Sequence, residues 1–238
     1  MTLADKHVVV IGGTSGMGRA TVAAALAEGA RVTSAGSRPV ADREPQAGLT
    51  HAQVDVTDEA SVEALFAAAG PLDHLLVSAS PGRPGPFLEQ DLAAARSFVD
   101  GKLLGSWTAA RYAVPQMRPG GSITFITGAA VVRPPGNAAM ATAAFAAVEG
   151  LTRALALELG PLRVNTIRPG YTDSELWSGL SDAERDDLRR RVAATMPVGR
   201  MGTPEDIAHA ALFLMTSRQT TGAILEVSGG EPLVDRLA

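Results

Sequence analysis

Short apolar runs alternate with longer amphipathic or alanine-rich segments along the chain. This alternation predicts repeated strand–helix units around a parallel sheet, because a fully buried strand is a short apolar run and its crossover is an amphipathic helix. The predicted strands are residues 7–11, 31–35, 50–54, 74–78, 122–127, 163–167 and 224–227. The predicted helices are residues 17–28, 59–69, 89–117, 138–159 and 204–215. The pattern predicts an α/β fold with a doubly wound, mostly parallel seven-stranded sheet and helices on both faces.

The first predicted strand ends in glycines that lead into the first predicted helix. These glycines let the backbone turn tightly and approach a pyrophosphate, while the helix N-terminus offers free N–H groups and the positive end of its dipole. Three residues separate the first two glycines, so the spacing differs from the G-x-G-x-x-G motif. An ordinary tight strand-to-helix turn is the alternative interpretation. The cofactor-binding residues predicted here are Gly12, Thr14, Ser15, Gly16, Met17 and Gly18.

The end of the second predicted strand distinguishes between the two nicotinamide cofactors. An acidic residue there binds the ribose 2′-hydroxyl of NAD, whereas a cation accepts the 2′-phosphate of NADP. The chain has Gly36 where the carboxylate is expected, followed by Ser37 and Arg38, so we expect NADP(H) to be preferred over NAD(H). The alternative for Arg38 is an ordinary surface arginine. Asp55 and Val56 follow the third strand, where they either bind the adenine amino group or form a helix-capping loop.

Composition and charge exclude several classes of function. The 238 residues are 46% hydrophobic and 19% charged with a formal net charge of -4, so we expect neither a nucleic acid nor a membrane as partner. There are no cysteines, which excludes disulfides and thiol catalysis. No basic leader and no 18-residue apolar stretch is evident, so we expect a soluble, cytoplasmic protein that acts on a small molecule. The histidines are scattered singly and predict no metal site.

One long segment, residues 171–200, separates the sixth predicted strand from the last predicted helix. It carries a charged run at residues 182–191 with Leu176, Trp177, Leu180 and Leu188 interleaved. A solvated helical face explains the charges. The position of the segment indicates a substrate lid inserted into one dinucleotide-binding domain that spans residues 1–238.

Nearly all of the chain resembles the short-chain dehydrogenase/reductase family. The matching segments are the glycine motif, residues 121–126, 148–159, 163–170 and 199–208, Thr221-Gly222 and Gly229-Gly230. The resemblance implies a Rossmann-type fold, with the cofactor lying across the carboxyl ends of the strands. It also implies a homotetramer or homodimer packed through the two longest helices and the last strand. Further cofactor contacts are expected from Ser78, Ala79, Pro169, Gly170, Thr172 and Ser174.

The family's usual catalytic groups are missing from the positions that the motifs assign to them. The tyrosine that moves a proton falls on Ala141, and the lysine four residues later falls on Phe145. The serine that binds the substrate oxygen falls on Gly128, and the asparagine of the long helix falls on Lys102. The turn after the fourth strand, Ser78-Ala79-Ser80-Pro81, is changed as well. A methyl or benzyl group cannot donate a proton or hold a ribose by hydrogen bonds, so the standard mechanism cannot operate.

Two interpretations follow from this loss. In the first, the chain is an atypical NADP(H)-dependent oxidoreductase whose acid and orienting groups come from other positions. In the second, it is a non-catalytic cofactor-binding sensor or subunit, or an enzyme of this fold that catalyses a non-redox step. The candidate catalytic residues are Lys102, Thr127, Thr142 and Tyr171, with Ser80, Arg133 and Asn137 as further polar groups.

Lys102 is the sharpest of these candidates. Its ammonium can reach towards the space left at Phe145, where burial would lower its pKa into the range useful for proton transfer. The alternative is a surface lysine on the polar face of its helix. Arg133, in a loop expected at the mouth of the cleft, either receives an anionic substrate or is a plain surface arginine.

Overall fold

The computed structural model describes residues 2–40, 46–79 and 84–234, with only the backbone of Leu176. The strands are β1 His7–Ile11, β2 Arg31–Gly36, β3 Leu49–Gln53, β4 Leu72–Val77, β5 Met117–Ile126, β6 Arg163–Pro169 and β7 Ile224–Val227. The α-helices are α1 Gly16–Ala27, α2 Glu59–Ala69, α3 Leu92–Phe98, α4 Gly105–Ala113, α5 Ala139–Glu158, α6 Asp182–Thr195 and α7 Pro204–Thr216.

The seven strands form one parallel sheet in the order β3-β2-β1-β4-β5-β6-β7. This confirms the predicted Rossmann-type fold. The strand order reverses between β1 and β4, and in open sheets of this kind the crevice outside the carboxyl ends at that point binds ligands. The glycine-rich turn after β1 and the 78–79 turn after β4 meet at this crevice.

Two apolar layers cover the sheet. On one face, Val8 and Val10 of β1 pack in a cluster with residues of α1 and α7. On the other face, Val9 and Ile11 pack in a cluster with residues of α2, α4 and α5. Because successive side chains of a strand point to opposite faces, each all-apolar strand supplies both layers.

The single long helix predicted over residues 89–117 is wrong. The chain forms α3, a π-helical turn Val99–Leu104, α4 and a 3₁₀ turn Val114–Gln116 before β5 begins. Pro115 in the last turn has no N–H to donate, which favours an end of the α-helix there. The π-helical turn buries Gly101 and Lys102, and such turns inside helices are frequent at functional sites.

Helix α5 is longer and more apolar than the expected absence of an 18-residue apolar stretch suggests. By length and composition it is the one helix among the described residues that could cross a membrane, with a mean hydropathy of 1.3 over its best window. Only 28% of that window is buried in this single chain, and Leu157 is 87% exposed. The same test is passed by core helices of soluble proteins, and the helix here packs along β6 and the π-helical turn.

The 171–200 segment is mostly helical. Ser181 and Glu184 form a capping box that starts α6, and Leu188 and Val192 are buried on its inner face. They cluster with Met196 and Met201, against the partly buried Trp177. The charged residues predicted to form a solvated face do so, pairing within the helix through Arg189 and its neighbours.

Buried histidines lie near the amino ends of the strands. His74 is 4% exposed, and its Nδ1 is 2.9 Å from the Ser122 hydroxyl. Burial is the main cause that lowers the pKa of His74 to about 4. An unfolded histidine titrates near 6.5, so the unfolded state binds the additional proton between the two values.

We therefore expect the free energy of unfolding to fall by about 3 kcal/mol from this group as pH drops from about 6.5 to about 4. His74→Asn, which cannot titrate, should flatten that part of the pH dependence in urea unfolding. His209→Asn, on the exposed side of α7, is the matched control and should keep the wild-type slope. An identical slope in wild type and His74→Asn contradicts the prediction.

Candidate cofactor and active site

The turn after β1 is tight enough to require glycines. Gly12 has φ of +83°, and the N–H groups of Gly12 and Gly13 donate to the Ala35 carbonyl at 2.8 and 3.1 Å. A Cβ on Gly12 would lie 2.8 Å from the Ala79 amide nitrogen, and a Cβ on Gly18 would collide with the Gly12 carbonyl oxygen. These glycines therefore let the turn, the next helix and the 78–79 turn pack together, as a phosphate-binding turn requires.

The N-terminus of α1 opens onto the same crevice. Ser15 occupies the N-cap position without a side-chain capping bond, and the first turn holds no acidic residue. Two residues of the 171–200 segment lie close to Gly16 at this N-terminus. A Cβ on Gly16 would be 3.7 Å from the Ser174 Cβ and 2.9 Å from Glu175 Oε2. The structure thus brings the predicted Ser174 to the glycine turn, and it adds Glu175, which sequence reasoning missed.

The end of β2 leaves no room for an acidic side chain. A Cβ on Gly36 would lie 2.7 Å from Thr14 Cγ2 and 2.8 Å from its hydroxyl oxygen. Ser37 and Arg38 follow and are exposed. Thr14 therefore fills the space where the carboxylate that selects NAD would start.

Asp55 has a local structural role. One of its carboxylate oxygens accepts hydrogen bonds from the Thr57 N–H at 2.9 Å and the Thr57 hydroxyl at 2.7 Å. These bonds lower the pKa of Asp55. The helix-capping loop weighed from the sequence is thus present, and adenine binding by Asp55 and Val56 stays a prediction.

Lys102 is buried, and the surface-lysine alternative is wrong. The residue is 1% exposed, its Nζ donates to the Ala79 carbonyl at 3.1 Å, and the Phe145 ring centroid is 5.6 Å away. Burial lowers the pKa of Lys102 to about 7. No carboxylate among the described residues forms an ion pair with it. An amine that carries this desolvation cost without a counter-charge indicates a functional group.

The residues at the other three family positions form an apolar wall. A Cβ on Gly128 would be 3.0 Å from the Phe145 ring, which therefore reaches from the Lys102 amine to the 128 position. Phe145 is partly buried against a small cluster of Phe98, Ala138, Ala141 and Ala144. Lys102 supplies the charge beside this wall.

The other three candidate catalytic residues, Thr127, Thr142 and Tyr171, lie on different segments of the chain and differ in their contacts. Thr127 donates to the Ile167 carbonyl and the Glu149 carboxylate at 3.3 Å each, so its hydroxyl is already engaged within the fold. The Thr142 hydroxyl is buried and has no partner among the described residues. Tyr171 stacks on Trp177 with ring centroids 6.1 Å apart, in an apolar cluster separate from that of Phe145. Burial raises the pKa of Tyr171.

The candidate residues on loops and turns also differ in their contacts and exposure. Arg133 is partly buried and its Nη1 donates to the Glu231 carbonyl at 2.6 Å, so it is not a plain surface arginine. Its role as the receptor of an anionic substrate stays a prediction. Thr172 is buried and donates to the Gly170 carbonyl at 3.1 Å. Asn137 is exposed, and Ser80 lies outside the described residues.

Comparison with known proteins identifies the family. A family model described as enoyl-(acyl carrier protein) reductase matches residues 12–231. The chain belongs to the short-chain dehydrogenase/reductase family. A cis-4-hydroxycyclohexanecarboxylate dehydrogenase of Sinomonas cyclohexanicum is 36% identical over 244 residues, which cover 95% of this chain and 96% of that protein.

Solved structures of this family agree with the fold. A small-chain dehydrogenase in complex with NADPH is 31% identical, with a TM-score of 0.83 over 96% of this chain and 99% of the other. An NADPH-bound short-chain oxidoreductase of Pseudomonas aeruginosa PAO1, described as containing an atypical catalytic center, is 30% identical. Its TM-score is 0.86 over 95% of this chain and 98% of the other. The chain is thus an oxidoreductase of the short-chain dehydrogenase/reductase type, and its relatives indicate a nicotinamide cofactor.

A cavity of about 740 Å³ lies outside the glycine-rich crevice, around β7 and the end of β6. Its lining includes Tyr171, Met196, Val198, Ser228 and Leu233. The Ser228 hydroxyl and one Glu231 carboxylate oxygen beside Gly170 are buried without described partners. Sequence reasoning missed Glu231, because no local pattern distinguishes it from a solvated glutamate.

Proposed function

We propose that this member of the family is an atypical NADP(H)-dependent oxidoreductase acting on an unidentified small molecule through a non-standard active site. The observation that carries the proposal is the buried Lys102 amine, which forms no ion pair with any of the described residues and is bonded to the turn that packs on Gly12. A non-catalytic relic would not need to retain so costly a group.

The glycine turn fits a dinucleotide. Gly12 and Gly18 let the β1 turn pack tightly on the 78–79 turn and on α1, and the first N–H groups of α1 would hold a pyrophosphate there. The 2′-phosphate would lie on Ser37 and Arg38, since Thr14 excludes a carboxylate from Gly36. When bound, NADP(H) supplies the hydride chemistry. The further residues proposed to contact it are Thr14, Ser15, Met17, Asp55, Val56, Ser78, Ala79, Pro169, Gly170, Thr172 and Ser174.

Lys102 would hold and move the proton that accompanies this chemistry. A lowered pKa of about 7 lets one amine act as acid and base at neutral pH. The Thr142 hydroxyl, which has no partner in the part of the chain that the structure describes, is the group we propose to orient a substrate oxygen. Thr127, also expected to be catalytic, donates within the fold, and Tyr171 stacks on Trp177, so this proposal assigns neither of them a step.

One observation favours the non-catalytic alternative. Phe145 stands where the resemblance places the lysine that holds the nicotinamide ribose, and its ring lies 3.0 Å from the position of a Cβ on Gly128. A sensor or subunit that binds cofactor without turnover would tolerate this ring. The absence of NADP(H) turnover together with tight binding would identify that alternative.

We also propose a homodimer or homotetramer, with residues 171–200 as the substrate lid. Helix α5 supports the first point, because it is apolar yet only 28% of its best window is buried within one chain. Leu104 at the end of the π-helical turn and Trp107 on α4 are 49% and 42% exposed, which adds apolar surface of the kind that oligomers bury. A cytoplasmic location stays a prediction.

Titration of purified protein with NADPH and NADH tests the cofactor assignment. We expect NADPH to bind at least tenfold more tightly, and Arg38→Ala to remove most of that preference by deleting a charge-assisted hydrogen bond. Arg31→Ala, at the opposite end of β2, is the matched control and should leave the ratio unchanged. Equal binding of the two cofactors, or an unchanged preference in Arg38→Ala, would overturn the assignment.

A further inference from the structure

We infer that Glu175 gates cofactor binding by competing with the cofactor's pyrophosphate for the N-terminus of α1. The inference rests on the proposed function, because it takes the glycine turn as the pyrophosphate site. It assigns a role to a lid residue that neither the glycine motif nor the missing catalytic groups indicate.

The carboxylate lies on the glycine turn itself. A Cβ on Gly16 would be 2.9 Å from Glu175 Oε2, and the other carboxylate oxygen is 3.4 Å from Arg19 Nη2. The first turn of α1 contains no acidic residue of its own. Because a helix N-terminus with free N–H groups attracts anions, Glu175 supplies from the lid the negative charge that this position favours.

A pyrophosphate on the same turn would meet this carboxylate. Two unit negative charges a few ångströms apart repel each other even at the effective dielectric of a protein surface. Glu175 must therefore turn away, or the lid must shift, before the phosphates can reach the first N–H groups of α1.

The contact is weak enough to be displaced. The side chains of Arg19 and Glu175 are 69% and 47% exposed, and exposed ion pairs contribute little to stability. Glu175 thus raises the cost of cofactor binding without preventing it.

Displacement of Glu175 would be transmitted to the lid. Glu175 begins the 3₁₀ turn Glu175–Trp177, and the Trp177 indole N–H donates to the Thr172 carbonyl at 2.9 Å. Trp177 also stacks on Tyr171 at the base of the lid. Trp177 therefore reports any change in this turn, and Trp107 is the only other tryptophan in the sequence.

The test compares Glu175→Gln, which keeps the shape and removes the charge, with the wild type. Glu28→Gln, at the opposite end of α1, is the matched control for net charge. Binding of NADP⁺ and of inorganic pyrophosphate is measured by calorimetry, and Trp177 fluorescence is followed in a Trp107→Phe background. We expect Glu175→Gln to bind both ligands about 5–10-fold more tightly, because the repulsion is lost.

We expect the Glu28→Gln variant to bind both ligands as the wild type does, and NADP⁺ to change Trp177 fluorescence. If the wild type binds NADP⁺ while Glu175→Gln binds it equally or more weakly, the gating role is wrong and the cofactor assignment stands. If neither protein binds NADP⁺, NADPH or pyrophosphate, the proposed function fails, and with it the gate.

Discussion

Lys102→Met is expected to lower NADPH-dependent reduction by a factor of about 10²–10⁴, the usual contribution of a positioned proton donor. The assay tests simple ketones, aldehydes and enones as substrates of the wild type. The variant and the wild type are then compared on the substrate that the wild type reduces fastest. The variant keeps the length of the side chain and removes the amine that donates to the Ala79 carbonyl. NADPH binding should weaken as well, because that bond supports the turn packed on Gly12.

The pH dependence of the same reaction tests whether the protonated Lys102 amine is the proton donor. With the pKa of Lys102 at about 7, the rate of reduction should fall as pH rises through that value, and the variant should lose this dependence. At neutral pH the free energy of unfolding of Lys102→Met should be higher than that of the wild type, because the wild type pays for burying a charged lysine there. In the unfolded chain the lysine titrates near 10.4, so this destabilisation grows as pH falls from that value towards 7.

Lys6, the other lysine in the sequence, provides the control. Lys6→Met removes a partner of Asp73 at the amino end of the sheet and should leave reduction unchanged. Vigorous reduction by Lys102→Met would place the catalytic group elsewhere. If Lys102→Met binds NADPH as tightly as the wild type and neither protein turns over, the interpretation as a non-catalytic sensor or subunit is favoured.

Gly18→Ala is expected to weaken NADPH binding more than 100-fold. The new methyl group would collide with the Gly12 carbonyl, so the β1 turn and the first turn of α1 must separate. A displacement of about 1 Å misaligns the N–H groups that hold a pyrophosphate. Calorimetric titration with NADPH measures the loss, and circular dichroism establishes that the variant is folded.

Gly150→Ala is the matched control for that substitution. Gly150 lies within α5 with nothing near the position of an added Cβ, so the variant should bind NADPH as the wild type does. Its free energy of unfolding should rise by up to about 1 kcal/mol, because alanine favours a helix interior over glycine. Equal NADPH affinity in Gly18→Ala and wild type would mean that the cofactor does not approach this turn.

The long connection between β4 and β5 is the part of the fold that the sequence predicted incorrectly. Helical propensity over residues 89–117 predicted one helix, but the chain makes a π-helical turn at Val99–Leu104 and reaches β5 at Met117. Propensity is a local property, whereas this turn also packs against α5, which is distant in the chain. Most predicted strands lie within two residues of the observed ones, because burial on both faces imposes a short apolar run on strands such as β1 and β4. Strand β5 begins five residues earlier than predicted, at Met117, where the residues that follow are exposed.

The sequence by itself determined the family, the Rossmann-type sheet and the glycine turn, since these depend on residue type and spacing along the chain. It also determined that Ala141, Phe145 and Gly128 can supply no acid, cation or hydroxyl. Only the tertiary structure decided that Lys102 is buried beside Phe145, that Arg133 bonds to Glu231 and that Glu175 lies on Gly16. Each of these contacts joins residues far apart in the chain, so burial and charge at those positions arise from the packing of separate elements.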